Sequence, residues 1–165
     1  MPQTLLNPNT APTWDSFKPT LIKVLAEFKP KTVLEWGPGV STLLMQDFPS
    51  VEHIDTIEHD VAWYSKWKNH FGPKVNLILE ENTKNHPLYF LSKNHDLYFI
   101  DGRERELCLN ACGKPTGIVI LHDAERESYQ FHIKLYKYIF FEDGGHTAVL
   151  CNDEETGKKL ESIFD

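Results

Sequence analysis

Short apolar runs alternate with amphipathic stretches along this chain, a pattern typical of an α/β domain. Continuous runs of branched and aromatic residues favour strands that are buried on both faces, as in a parallel sheet. They predict seven strands, near Thr32–Leu34, His53–Asp60, Val75–Leu79, Asp96–Asp101, Ile118–Asp123, Leu135–Phe141 and Thr147–Cys151. Because residues 142–145 have the composition of a hairpin turn, we expect the last two strands to close the sheet as an antiparallel pair.

Apolar residues at helical spacing fill several of the segments between these runs. A first helix is expected over Trp14–Phe28. Asp60 is placed to cap a helix that follows the second strand. A further helix over Glu104–Cys112 would carry Cys108 and Cys112 on its buried face, as small core residues.

The remaining segments give weaker patterns. Residues 1–13 are rich in Pro, Asn and Thr and are expected to form an N-terminal arm. Residues 84–94 are polar and are expected to be irregular, whereas the polar tail over 152–165 favours a short helix. The 165 residues are expected to fold as one domain.

The most informative stretch is the first strand together with the turn that follows it. Gly37 and Gly39 can take backbone angles that a Cβ would forbid, so the chain can turn sharply there and leave room for a ligand. Ser41 or Thr42 could cap the helix that comes next, whose first N–H groups would face a pocket. Glu35 stands just before the glycines, where a carboxylate would repel a pyrophosphate but could pair with a cationic ligand.

Acidic residues end several of the predicted strands. Glu58 follows the glycine turn by about 20 residues, the spacing at which an acid of nucleotide-binding α/β folds reaches the ribose hydroxyls. Asp101 and Asp123 end two further strands, and in a parallel sheet they would lie at the same edge as Glu35. Acids at one edge repel one another unless a cation, a ligand or protonation relieves them. This cluster is the strongest functional signal in the sequence.

Three short motifs carry a resemblance to a known family: Glu35-x-Gly37-x-Gly39, Asp101-Gly102-Arg103 and His122-Asp123-Ala124. They resemble the motifs of class I S-adenosylmethionine-dependent methyltransferases, in particular small O-methyltransferases. The resemblance implies a Rossmann-like three-layer sandwich, built on a mostly parallel seven-stranded sheet with a C-terminal antiparallel hairpin. It also implies S-adenosylmethionine as the cofactor. A third glycine of the fuller motif is replaced here by Ser41.

The resemblance further implies which residues bind this cofactor. The methionine part would contact Glu35, Gly37, Gly39, Ser41 and Thr42. The ribose would be held by Glu58 and its neighbour His59. Gly102 would also contact the cofactor, and Asp101 would lie near the sulfonium or near the acceptor. The adenine would lie near Trp63 or Tyr64 and the segment 80–83, although these aromatic rings would equally suit packing of their helix on the sheet.

Catalysis would require a group that removes a proton from the acceptor. His122 has the side chain whose ordinary pKa is nearest neutrality, and Asp123 and Asp101 could act directly as bases. Catechol-type O-methyltransferases bind magnesium through acids at similar strand ends, which implies a metal site at Asp101 and Asp123. The residue that would match their third ligand is Ala124, so this match is incomplete. The expected acceptor is a hydroxyl of a small molecule or a saccharide.

Composition limits the classes of partner and the cellular location that we expect. The net charge of −7 argues against a broad nucleic-acid surface, and no apolar run approaches the ~20 residues of a membrane span. Three cysteines without a paired metal motif are typical of a reduced, cytoplasmic protein. The N-terminus lacks the features of a signal peptide.

Two alternative functions remain open at this point. An NAD-dependent oxidoreductase would share the fold, but it needs a third glycine and no acid at the pyrophosphate. A protein that binds S-adenosylmethionine or a nucleoside without transferring a methyl group is the other alternative, because the chain has no large insertion to build an acceptor pocket. A large substrate, or a second copy of the chain in a homo-oligomer, could complete such a site.

Overall fold

The computed structural model describes residues 15–91, 93–112 and 117–164. The predicted arm over 1–13, Trp14 and the turn around Lys114 lie outside these residues. Among the helices of the described ranges, none has the length and apolar character needed to cross a bilayer.

A seven-stranded sheet forms the centre of the molecule. Its strands are β1 (Thr32–Trp36), β2 (His53–Glu58), β3 (Val75–Leu79), β4 (Leu97–Ile100), β5 (Ile118–His122), β6 (Tyr138–Glu142) and β7 (Thr147–Cys151). They follow the order β3-β2-β1-β4-β5-β7-β6. The first five are parallel, and β7 runs antiparallel to both β5 and β6. The predicted fold class, with its C-terminal antiparallel pair, is confirmed.

Helices cover both faces of this sheet. They are α1 (Lys18–Phe28), α2 (Val40–Asp47), α3 (Val61–Trp67), α4 (Arg105–Cys112), α5 (Glu127–Ile133) and α6 (Glu154–Phe164), with short 3-10 helices at Thr83–Leu91 and Asp143–Gly145. Residues of α1, α2 and α6 pack with Val33 on one face, whereas α4, α5 and the first 3-10 helix pack with Leu34 and Trp36 on the other. Successive residues of a strand point to opposite faces, so β1 contributes to both cores.

Most predicted strand ends lie within two residues of those in the structure, and three larger differences are found. The first helix begins at Lys18, where Pro19 suits the first turn. The segment expected to be irregular forms the 3-10 helix Thr83–Leu91, because tertiary contacts fix it: the His86 carbonyl accepts the Trp36 indole N–H. The sixth strand begins at Tyr138 rather than at residue 135.

The strand order places the site. The sheet is extended in opposite directions from β1 and β4, so the helices that follow these two strands lie on opposite faces and leave a crevice at the carboxyl ends. The ends of β1, β2, β4 and β5 therefore surround one opening.

Candidate functional site

The turn after β1 packs directly against the end of β4. Gly37 has a φ of +96°, and a Cβ there would lie 2.9 Å from the carbonyl carbon and oxygen of Asp101. A Cβ on Gly102 would lie 3.0 Å from the carbonyl carbon of Trp36. Both glycines are thus required by the close approach of two backbones, and this approach forms the floor of the crevice.

Glu35 lies beneath this turn and is fully buried, with 0% of its surface exposed. Its carboxylate accepts hydrogen bonds from the hydroxyl of Ser41 and, over 2.6 Å, from that of Thr42. The Thr42 hydroxyl in turn accepts the Gly39 N–H over 2.9 Å. Burial raises the pKa of Glu35 to about 7, although the hydroxyls of Ser41, Thr42 and Thr56 oppose the rise. The carboxylate fixes the start of α2.

The crevice is a cleft of about 1240 Å³ that runs along the carboxyl ends of the strands. Most of the predicted site residues line it: Gly37, Gly39, Ser41, Glu58, His59, Trp63, Asp101, Gly102, His122 and Asp123. Glu35 and Thr42 lie behind the lining, so a contact with the cofactor would be made through the turn they support.

Glu58 lines one end of the cleft and is already held in place by its neighbours. Its Oε1 accepts the backbone N–H groups of His59 and Asp60, both over 2.7 Å, and lies 2.8 Å from Nδ1 of His59. The contacts that described residues make with this carboxylate go to Oε1, which leaves Oε2 for the hydroxyls of a ligand. Asp60 caps α3 as predicted, because its side chain accepts the Trp63 N–H.

The aromatic wall at this end is fixed by contacts with the turn. The Trp63 indole donates to the Pro38 carbonyl over 2.8 Å, and the Lys66 ammonium lies 4.4 Å from the centre of its ring. His86 lines the same end, whereas the predicted segment 80–83 does not line the cleft. His86 Nε2 donates to the Glu80 carbonyl, so this segment orients His86.

His122 lies at the other end of the cleft, between two oxygen atoms. Its Nδ1 lies 3.1 Å from Oδ1 of Asp101, and its Nε2 lies 3.3 Å from the hydroxyl of Ser16. Because an ionised carboxylate only accepts hydrogen bonds, the Nδ1 atom carries a proton and Nε2 is the basic atom of the neutral ring. The ring also packs edge-on against Phe17.

The charges around His122 change its pKa. Burial lowers it, but the hydrogen bond that Nδ1 donates to Asp101 and the negative charges of Asp101 and Asp123 outweigh burial, and Arg105 opposes them in part. The net result is a pKa of His122 above its ordinary value.

The two strand-end carboxylates are neutralised by arginines. Arg105 contacts Oδ1 of Asp101 over 3.1 Å and Oδ2 of Asp123 over 3.2 Å, and Arg126 contacts the same Oδ2 over 2.7 Å. Three potential ligand atoms, one each from Asp101, His122 and Asp123, lie within 4.8 Å of one another, a spacing that one ion could span. Since Arg105 already bridges the carboxylates, this set does not fit a divalent metal in the present arrangement.

Sequence reasoning missed Ser16, His86 and Arg105. Ser16 lies 106 positions from His122 in the chain, and no local pattern connects them. Arg105 had a usable signal, because an arginine four positions after a strand-end acid, in the first turn of a helix, can reach back to that acid.

Comparison with known proteins agrees with this architecture. No protein-family model and no curated protein sequence matches the chain. A methyltransferase-like protein from Silicibacter pomeroyi superposes with a TM-score of 0.68 and 16% identity, over 94% of this chain and 97% of its own. A putative caffeoyl-CoA O-methyltransferase from Staphylococcus aureus gives 0.60 and 19%, over 82% and 83%.

A spermidine synthase from Thermotoga maritima shares the fold as well. It gives a TM-score of 0.61 at 16% identity over 87% of this chain, which spans 59% of the synthase. At such identities the likeness establishes the fold alone. The chain therefore has the Rossmann-like fold found in class I S-adenosylmethionine-dependent methyltransferases.

Proposed function

We propose that this protein transfers a methyl group from S-adenosylmethionine to a hydroxyl of a small-molecule or saccharide acceptor. The observation that carries the proposal is a single cleft that joins the acid Glu58, the glycine turn and the base His122. This order suits a bound nucleoside at one end and a reacting hydroxyl at the other.

On the cofactor side, Oε2 of Glu58 would accept hydrogen bonds from the ribose hydroxyls, while His59 and the backbone hold Oε1. The turn at Gly37 and Gly39, together with Ser41, would receive the methionine part. Gly102 allows the backbone to approach closely beside Asp101, where the sulfonium would lie. Trp63 would form the wall beside the nucleoside.

The chemistry needs little more than alignment and one proton acceptor. In the transfer, the acceptor oxygen bonds to the methyl carbon, the carbon–sulfur bond breaks, and S-adenosylhomocysteine leaves. His122 takes the hydroxyl proton at Nε2, and Asp101 holds the ring at Nδ1 and stabilises the imidazolium. Asp123, whose Oδ1 lies 3.9 Å from Nε2, adds negative charge on the same side.

An acceptor hydroxyl would replace that of Ser16, which lies 3.3 Å from Nε2, as the partner of this nitrogen. The neighbour named as a caffeoyl-CoA O-methyltransferase is consistent with oxygen as the acceptor atom. The neighbour named as a spermidine synthase makes amines the second class of acceptor to include in a screen.

Calorimetric titration with S-adenosylmethionine and, separately, with NAD tests the cofactor. We expect micromolar binding of S-adenosylmethionine alone, weakened at least tenfold in Glu58→Gln because a hydrogen bond to a charged group is worth about 1.5–3 kcal/mol. Glu52→Gln is the matched control, since Glu52 lies exposed beyond the other end of β2. Failure of S-adenosylmethionine to bind would refute the proposal.

A screen of hydroxyl and amine acceptors with labelled cofactor tests the transfer. We expect label in hydroxyl compounds, and a loss of about 10²-fold or more in kcat for His122→Asn with cofactor affinity unchanged. Cofactor binding without transfer to any acceptor would favour the binding-protein alternative. Transfer to amines alone would show that the acceptor is an amine and not a hydroxyl.

A further inference from the structure

The guanidinium of Arg105 joins the ends of β4 and β5. Its Nε donates to the Gly102 carbonyl over 2.9 Å, and its Nη1 donates to the His122 carbonyl over 2.7 Å. Its Nη2 donates to the Asp101 carbonyl over 3.1 Å. The same two terminal nitrogens contact the carboxylates of Asp101 and Asp123.

These contacts use the donor capacity of the side chain almost completely. A guanidinium offers five N–H groups in a fixed planar fork, and here they are directed at three carbonyl and two carboxylate oxygens. The Arg105 side chain is only 10% exposed. The guanidinium is therefore a fixed part of the site and is largely shielded from solvent.

Arg105 contacts one oxygen of each carboxylate, Oδ1 of Asp101 and Oδ2 of Asp123, and an ion bound to the remaining oxygens would lie close to its charge. Carboxylate ligands at the ends of two adjacent strands are the donor set that Mg²⁺ and Mn²⁺ favour. To bind both carboxylates, an ion would have to displace the guanidinium from Asp101 and Asp123, or lie beside a fixed positive charge that repels it. Arg126, which also contacts Asp123, adds a second positive charge on that side.

We propose that Arg105 is a built-in cation that takes the place of a divalent metal at this edge of the sheet, so that the protein works without one. Arg105 is then a positioning residue: it holds the two carboxylates and the backbone of His122 in register, and its removal converts Asp101, His122 and Asp123 into a metal site. Methyl transfer without a metal rests on the proposed function, whereas the exclusion of ions by Arg105 needs neither cofactor nor acceptor.

Mn²⁺ binding tests the claim, with free Mn²⁺ measured by electron paramagnetic resonance on the purified protein. We expect no stoichiometric binding to the native protein at submillimolar Mn²⁺. Arg105→Gln should gain one site, with an affinity at least tenfold higher than that of the native protein. Adding Asp123→Asn to that variant should remove the site.

Arg103→Gln is the matched control, because Arg103 lines the same cleft but contacts His59 rather than a carboxylate. It should leave Mn²⁺ binding unchanged. Arg105→Lys keeps the charge but loses the planar guanidinium, and it should also exclude Mn²⁺. This variant separates the effect of the charge from that of the guanidinium geometry.

Two results would overturn the proposal. One is a Mn²⁺ site in the native protein that Asp101→Asn abolishes, a result that does not depend on any Arg105 variant folding. The other is a folded Arg105→Gln protein, judged by its circular dichroism, that gains no Mn²⁺ site. Methyl transfer that persists in excess chelator would agree with the proposal, whereas a failure to transfer methyl groups at all would leave the Mn²⁺ results unaffected.

Discussion

Thr42 donates its hydroxyl to the buried carboxylate of Glu35 over 2.6 Å, across the turn that separates β1 from α2. Glu35, which the sequence placed where it could pair with a ligand, is thus enclosed by the first turn of α2. Its pKa, raised to about 7 by burial, means that the carboxyl group holds its proton more tightly in the folded state than in the unfolded one.

Glu35 should therefore make stability depend on pH. Because its folded pKa of about 7 exceeds the unfolded value of 4.5, its contribution to the free energy of unfolding falls as the pH rises between these values. Relative to Glu35→Gln, we expect the native protein to lose about 3 kcal/mol between pH 4.5 and pH 8. Urea denaturation of both proteins at the two pH values measures the change, and the difference between them cancels the other titrating groups.

A pH-independent difference between these proteins would show that Glu35 is ionised throughout. The charge would then be stabilised in the folded state by the Ser41 and Thr42 hydroxyls strongly enough to cancel the cost of burial.

The glycine turn gives a second prediction with an internal control. Gly37 and Gly145 both have a φ of +96°, but a Cβ meets backbone atoms at 2.9 Å at the first and nothing within 4 Å at the second. Gly145→Ala should cost about 1–2 kcal/mol, the usual strain of a left-handed backbone angle. Gly37→Ala adds a clash that cannot relax without moving β4, so its cost in denaturant unfolding should exceed that of the control by about 2 kcal/mol or more.

Equal costs for the two substitutions would mean that the β1 turn can move away from β4. The close packing of Gly37 against Asp101 would then not be what holds the floor of the cleft.

How far the sequence predicts this site depends on the distance over which its parts interact. The runs that end at Glu58, Asp101 and His122 are local patterns, and the parallel sheet brings their ends together, so this placement could be anticipated. The role of Glu35 could not, since a strand-end acid before glycines looks the same whether it faces the ligand or the helix. Contacts such as that of Ser16 with His122 depend on how α1 docks on the sheet.

Asp55 gives a third prediction, away from the cleft. This carboxylate on β2 is buried, which disfavours its charge, but contacts with Lys93, Asn76, His95 and His53 outweigh burial and hold its pKa well below the usual range. The depressed folded pKa means that the stabilisation is present above the unfolded value near 3.8 and is lost as the pH falls.

Asp55→Asn should therefore destabilise the protein at pH 7 by about 2 kcal/mol, and this deficit should shrink as the pH falls below 4. Asp47→Asn, at an exposed position in α2, is the control and should change stability by less than about 0.5 kcal/mol. Thermal or urea unfolding at pH 7 and pH 3 measures both. A deficit that stays constant over this range would contradict the ion-pair account of Asp55.

The last prediction concerns the base itself and needs no acceptor. The hydrogen bond that His122 donates to Asp101 and the charges of Asp101 and Asp123 raise the pKa of His122 against the effects of burial and Arg105. Asp101→Asn removes one negative charge and replaces a charged acceptor at Nδ1 by a neutral one, so we expect the pKa of His122 to fall. Nitrogen-detected NMR titration of the ring follows the change, with Asp47→Asn as the control that should leave the titration unaltered.

Since only the neutral ring can accept a proton, the acid limb of the pH–rate profile for methyl transfer should follow this pKa and move down with it in Asp101→Asn. The rate at high pH should fall as well, because the Nδ1 proton loses the partner that fixes the tautomer. An unchanged titration of His122 in Asp101→Asn would show that Asp101 does not influence the pKa of His122. It would contradict the role of Asp101 in stabilising the imidazolium.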